Sequence, residues 1–213
     1  MLIEVARKDT LSTPTAISLF TDRTAQFVDR LGWNLCATPE GLEVDEYDDV
    51  GSSYILIHDG VRHLGSCRVR PVASGTMIED HFLNLFPGAS AFFHSQQGTL
   101  YELTRFLKAR DLPVAQSREM LRHLAVALDR FRDDVNATGF VAVVFTPITR
   151  FLRRIGVRFI TLATAEMDGQ PVQMICITHA IEAHHLLPYY EMMRKRPIST
   201  ACLEARGSAK TRV

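Results

Sequence analysis

GTLYELTRFLKARDLPVAQSREMLRHLAVALDRFRDDVNATGFVAVVF, residues 98–145, decides the fold of this chain. Its first ten residues read as a strand. Ser117 then caps a long helix whose apolar side is Leu121, Leu124, Ala125, Leu128 and Phe131, a helical period ending near Gly139. VAVVF (141–145) is a continuous apolar run, as a central strand covered on both faces requires. Strand, helix and strand in this order point to an α/β sheet.

Outward from this unit the punctuation is clear. Pro147 starts a helix through Arg154. Strands near Val157–Ala163 and Val172–Thr178 and a final helix to about Met193 follow. The tail, residues 194–213, is basic, small and polar, and is expected to be mobile. On the other side, Met77 to Phe86 reads as a short helix closed by Pro87-Gly88. SSYILIH (52–58) and RHLGSCRVRP (62–71) read as a hairpin about Asp59-Gly60. Thr13 caps a helix with Pro14 in its first turn; it runs to about Leu31 and stops at Gly32. The expectation is one α/β domain over residues 1–193, a sandwich on a mixed sheet.

Composition sets limits. The chain has 213 residues, 46% of them hydrophobic, enough for one sizeable core. Lysines and arginines number 24 and so do aspartates and glutamates, which argues against bulk nucleic-acid binding. Cys36, Cys67, Cys176 and Cys202 form no CxxC and read as reduced thiols. MLIEVARKDT has no long apolar core, and no stretch is long enough to span a bilayer. A cytoplasmic protein is expected, as a monomer or weak dimer.

Three charged and aromatic stations carry the chemistry. Arg23, Phe27, Arg30 and Trp33 stand in RTAQFVDRLGW, the first three at helical spacing that shares one face. That face reads either as a lid over an anionic or aromatic ligand or as an exposed amphipathic surface. Asp45 and Asp48 stand in VDEYDD, with Arg68 following in SCRVRP; acidic runs of this kind are usually solvated loops. Glu102, Arg105 and Phe106 stand in YELTRF. Glu102 is a candidate base, since a carboxylate in a half-buried strand is pushed towards protonation near neutral pH. The alternative is a structural Glu102–Arg105 ion pair.

In order, spacing and flanking residues, these stations resemble the acyl-homoserine-lactone synthases, which make bacterial quorum-sensing signals. The resemblance implies a GNAT-like three-layer sandwich with a central mixed, splayed sheet. It also implies the reaction. The amine of S-adenosylmethionine attacks a thioester on acyl carrier protein or coenzyme A. Its carboxylate then closes a lactone, and methylthioadenosine leaves. S-Adenosylmethionine is a substrate here, with no prosthetic group and no metal.

The implied roles follow. Glu102 takes the amine proton, directly or through a water. Asp45 lies near the substrate ammonium, and Asp48 pairs with Arg23 or Arg68. Phe27, Arg30, Trp33, Arg105 and Phe106 bind S-adenosylmethionine, although a lone tryptophan is often simply core. For Glu102 and Arg105 both to face the ligand, their strand must carry a bulge. Leu103, Ala142, Val144 and Phe145 line the acyl tunnel; a valine at 144 cannot donate to a 3-oxo group, so an unsubstituted chain is expected. Phe82 is expected to be packing.

Arg150, Arg153, Arg154 and Arg158 would dock an acidic carrier protein, or form a solvated face. Other chemistry fits poorly. His179, His184 and His185 do not form HExxH and read as helix-start residues. There is no Gly-x-Ser-x-Gly elbow and no Walker loop. ARDLPVAQSRE (109–119) lacks the Gln/Arg-x-x-Gly-x-Gly/Ala loop of ordinary coenzyme-A-dependent GNAT enzymes. A GNAT-type acyltransferase using another amine is the alternative enzyme, and an idle, ligand-binding relative is the alternative outside enzymes.

Overall fold

The strands set the frame: β1 (Leu2–Ala6), β2 (Ser53–His58), β3 (His63–Pro71), β4 (Thr99–Lys108), β5 (Ala137–Phe145), β6 (Arg158–Met167) and β7 (Gln170–His179). They form one open, mixed sheet in the order β1-β2-β3-β4-β5-β7-β6. This computed structural model describes residues 1–179. Two compact units divide them: one holds residues 1–68 and 105–124, the other 69–104 and 125–179. The helices are α1 (Thr13–Arg23), α2 (Met77–His81), α3 (Ala89–Ser95), α4 (Val114–Asp134) and α5 (Thr146–Arg154). The α/β class with a mixed sheet is as expected.

In the first unit β1 runs antiparallel to β2, from Leu2↔His58 to Ala6↔Tyr54. This strand was not expected, because five half-buried residues are too short a signal without the partner that completes them. The cap of α1 is Ser12 rather than Thr13: its side chain accepts from the Thr15 amide, and Pro14 lies in the first turn. The helix does continue past Arg23, but Thr24–Arg30 winds as a π-helix. The Leu31 amide reaches the Gln26 carbonyl five residues back, at 3.2 Å. Gly32 ends it at φ +66, a conformation that favours glycine. Leu19, Phe20, Phe27, Tyr54, Leu56 and Leu107 form this unit's core.

In the second unit β4 runs parallel to β5 from Thr99↔Ala137 to Glu102↔Val141. β5 continues to Phe145 against β7 alone. The two parallel strands therefore part beyond Glu102, which is the expected splay. β6 and β7 join through Asp168 and Gly169, at φ +52 and +72, as a two-residue hairpin turn requires. That turn extends both strands beyond the expected ends. α4 starts at Val114, not at Ser117, whose hydroxyl instead donates to the Leu112 carbonyl. It ends at Asp134, because Asn136 takes φ +51 and turns the chain into β5. The expected Met77–Phe86 helix is shorter, and α3 beyond Gly88 was not foreseen. The second core holds Ile78, Phe86, Phe93, Leu100, Val141 and Met174, with Phe82 packed against it as expected. The final helix and the tail lie outside the described residues.

Candidate active site

The first unit buries a charge-balanced cluster. Leu42-Glu43-Val44-Asp45 alternates: Leu42 and Val44 pack on the apolar core, so Glu43 and Asp45 turn to the other side. Three guanidiniums meet them there. Arg23 pairs with Glu43 and, at 2.9 Å, with Asp48. Arg68 forks onto Asp45 and reaches Asp48 at 2.8 Å. Arg105 reaches Glu43 at 2.9 Å and Asp45 at 2.7 Å. Each guanidinium also lies over an aromatic ring, at 5.2 Å for Arg23 on Phe20, 5.5 Å for Arg68 on Tyr47 and 5.4 Å for Arg105 on Phe27. Burial of such charges is tolerated only because each is paired and forked.

Asp48 is the hub of the cluster. Its Oδ1 accepts from Arg23, Arg68 and the Tyr54 hydroxyl, the last at 2.7 Å, while Oδ2 accepts the Asp45 amide at 2.8 Å. Burial pushes its carboxyl up, but the Arg23 and Arg68 charges outweigh burial and hold it well below the usual carboxylate range. Burial, then the Asp48 charge, pushes the Tyr54 hydroxyl far above its ordinary value. The Asp48 side chain is fully buried, whereas that of Asp45 is 10% exposed. Arg23 Nη2 makes no hydrogen bond among the described residues; Asp45 Oδ2 lies 3.6 Å from it.

Several expectations change here. The acidic run is not a solvated loop, since Glu43 and Asp48 are buried. Glu43 and Tyr54 were missed as site residues. The alternation Leu42-Glu43-Val44-Asp45 was the signal for Glu43; Tyr54 left none. Arg23, Phe27 and Arg30 do not share a face: the first two are buried and Arg30 is exposed, because the π-helix turns more slowly than an α-helix. The helix is equally not a plain exposed surface. Trp33 stacks on Phe27 with ring centroids 5.0 Å apart and lies against the apolar core. Phe106 is half-buried.

Glu102 belongs to the second unit and is held differently. Its side chain is nearly inaccessible. Oε2 accepts the Met77 amide at 2.9 Å and Oε1 the Ile78 amide at 2.8 Å. These are the first amides of α2, which Thr76 caps by accepting from the Glu79 amide at 3.0 Å. Arg105 stands at φ +51, a left-handed residue within β4, while the register shift of β4 against β5 lies earlier, between Thr99 and Leu100. The partners of Glu102 thus include two backbone amides, and those of Arg105 two carboxylates.

The remaining candidates sit on β4, β5, α5 and the start of β6. Tyr101 packs on Phe131 of α4, and Leu103, two residues on, shares that side of β4. Ala142 and Val144 share the parity of Phe140, which also packs on Phe131. Phe145 has the opposite parity and packs with Val143 against the other core, so it does not share a side with Ala142 and Val144. Arg150, Arg153, Arg154 and Arg158 are all exposed. Arg153 lies over Phe159 at 5.0 Å, beside a cavity of about 560 Å³ that Arg158, Ile160 and Thr178 also line. Cys36, Cys67 and Cys176 are free thiols. Among the described residues no three potential ligands gather as a metal site, and no helix is long and apolar enough to cross a membrane. His184, His185 and Cys202 lie outside those residues.

Comparison with known proteins follows the same lines. An acyl-homoserine-lactone synthase of Vibrio anguillarum is 26% identical over 199 residues, covering 91% of this chain and 97% of that one. One from Aliivibrio fischeri is 28% identical over 162 residues, covering 74% and 82%. Among solved structures, the CoA-dependent acyl-homoserine lactone synthase BjaI with SAM and isopentyl-CoA superposes with a TM-score of 0.72 at 21% identity, over 92% of this chain and 90% of that one. An acyl-CoA N-acyltransferase from Pseudomonas aeruginosa superposes with a TM-score of 0.55 at 15% identity, over 83% and 99%, a likeness of fold. The autoinducer synthase family model matches residues 9–184, and the chain belongs to that family, acyltransferases of the acyl-homoserine-lactone synthase kind.

Proposed function

We propose that this enzyme acylates the amine of S-adenosylmethionine from a thioester donor and then closes the lactone, with Glu102 receiving the amine proton. One observation carries the assignment: a buried carboxylate stands where β4 and β5 part. The β4–β5 ladder ends at Glu102, and in this reading the acyl-thioester arm enters there, with Leu103, Ala142 and Val144 as its apolar side. Oε2 and Oε1 of Glu102 each accept a backbone amide, and the carboxylate so aimed receives the amine proton through a water. The tetrahedral centre collapses with expulsion of the thiol. The substrate's own carboxylate oxygen then attacks its γ-carbon, and the C–S bond breaks to release methylthioadenosine.

In this reading Asp45, the more exposed carboxylate of the cluster, faces the substrate ammonium, while Asp48, Arg23, Arg68 and Arg105 hold the cluster rigid. The Phe27–Trp33 stack walls the adenine and sulfonium, where an aromatic face favours a cation. Phe106 and Arg30 complete that wall once substrate is present. Acyl carrier protein docks on Arg150, Arg153, Arg154 and Arg158, and the enzyme works in the cytoplasm on soluble substrates. Phe145 shapes the far side of β5 rather than the tunnel.

The test supplies S-adenosylmethionine with acyl-carrier-protein and acyl-CoA donors and follows N-acyl lactone and methylthioadenosine by mass spectrometry. Glu102→Gln should lower turnover by ~10²–10⁴-fold with substrate binding largely kept. Wild-type turnover in the variant would make Glu102 purely structural. Acylated product without lactone in the wild type would point to another amine as the natural acceptor.

A further inference from the structure

We propose that Arg70 is a positioning residue for Glu102, an inference that rests on Glu102 taking the amine proton. Arg70 is buried near the end of β3 and folds back onto the segment that follows it. Its Nε donates to the Gly75 carbonyl at 2.9 Å and its Nη2 to the Ser74 carbonyl at 2.7 Å. Thr76, the next residue, caps α2. The two amides after it, Met77 and Ile78, hold the two oxygens of Glu102. One guanidinium on a sheet strand therefore anchors the peptide units just before the donors that aim the carboxylate.

The segment needs such an anchor. α2 has five residues, too few to be stable alone. Gly75 sits at φ +83 between the clasp and the donors, where the backbone has most freedom to swing. A catalytic group must be held to within ~0.5 Å of its working position, so slack here is felt at Glu102. The planar fork of arginine suits two neighbouring carbonyls; a lysine is a point donor that meets them less well. The guanidinium on β3 thus acts on Glu102 through the backbone.

Arg70→Met and Arg70→Lys test this by kinetics and by hydrogen exchange resolved at the Met77 and Ile78 amides. Arg70→Met should lower kcat by ~10–100-fold, with KM for S-adenosylmethionine within about twofold of wild type. The Met77 and Ile78 amides should exchange faster than in wild type, while those of β5 and β7 stay protected. Arg70→Lys should fall between the two on both readings. Wild-type kcat in Arg70→Met, or loss of kcat and KM together in proportion to the unfolded fraction, would overturn the proposal. If the wild type makes no lactone with any donor, the reading of the reaction fails. The exchange result then still decides the clasp, and unchanged protection at Met77 and Ile78 would sink it.

Discussion

The two carboxylate centres solve one problem in opposite ways. In the first unit Glu43, Asp45 and Asp48 are neutralised by side chains, the guanidiniums of Arg23, Arg68 and Arg105. In the second, Glu102 is held by the backbone, through the amides of Met77 and Ile78. A network of side chains is stiff but collective, since losing one member strands the charge of its partners. A carboxylate on backbone amides has partners that no substitution short of proline removes, though their placement can be disturbed. The first arrangement suits a fixed wall of a binding site. The second suits a group that exchanges a proton, because amide donors do not themselves titrate.

The largest break in this contrast should come from a buried cation of the network. Arg23→Met removes a fully buried cation facing Glu43 and Asp48. It should cost about 3–5 kcal/mol of unfolding free energy, read from urea denaturation. Glu102→Gln should cost less, about 1–3 kcal/mol, while losing far more turnover. If the two variants are equally unstable, the distinction between collective and backbone-held carboxylates fails.

Acid sharpens it next. Asp48 binds its proton less readily folded than unfolded, where its ordinary value is near 3.8. The unfolded state therefore takes up more protons as pH falls through that region, and stability drops. The contribution is complete above about pH 5 and is lost progressively below the unfolded value. Denaturation between pH 6 and pH 3 should show this decline in wild type and a flatter slope in Asp48→Asn, around a lower plateau. Identical slopes would remove Asp48 as the source.

The smallest effect on folding should come from the surface. Reversing Arg150 and Arg154 to Glu touches two exposed side chains and should shift stability by less than about 0.5 kcal/mol. The apparent KM for an acyl-carrier-protein donor should nevertheless rise, with little change for a short acyl-pantetheine donor. Added salt should weaken use of the carrier-bound donor in wild type more than in the double variant. Equal loss for both donors would place the carrier elsewhere.

Periodicity alone made the central strands, α4's apolar face, α5 and the β2–β3 hairpin legible, because alternation and helical spacing are local. The charged stations Arg23, Asp45, Asp48, Arg68, Glu102 and Arg105 were likewise legible one by one, from residue type and order. Their partners were not. Glu43 joins the cluster because residues 42–45 alternate against a core that only folding creates. Arg30 leaves its expected face because the helix winds as π beyond Arg23. β1 exists because β2 completes its hydrogen bonds, and Glu102 meets α2 because β3 and its return loop deliver those amides to β4. Local pattern shows which face a residue prefers; which group waits on that face depends on contacts between residues far apart in the chain, and those are made only when the sheet assembles.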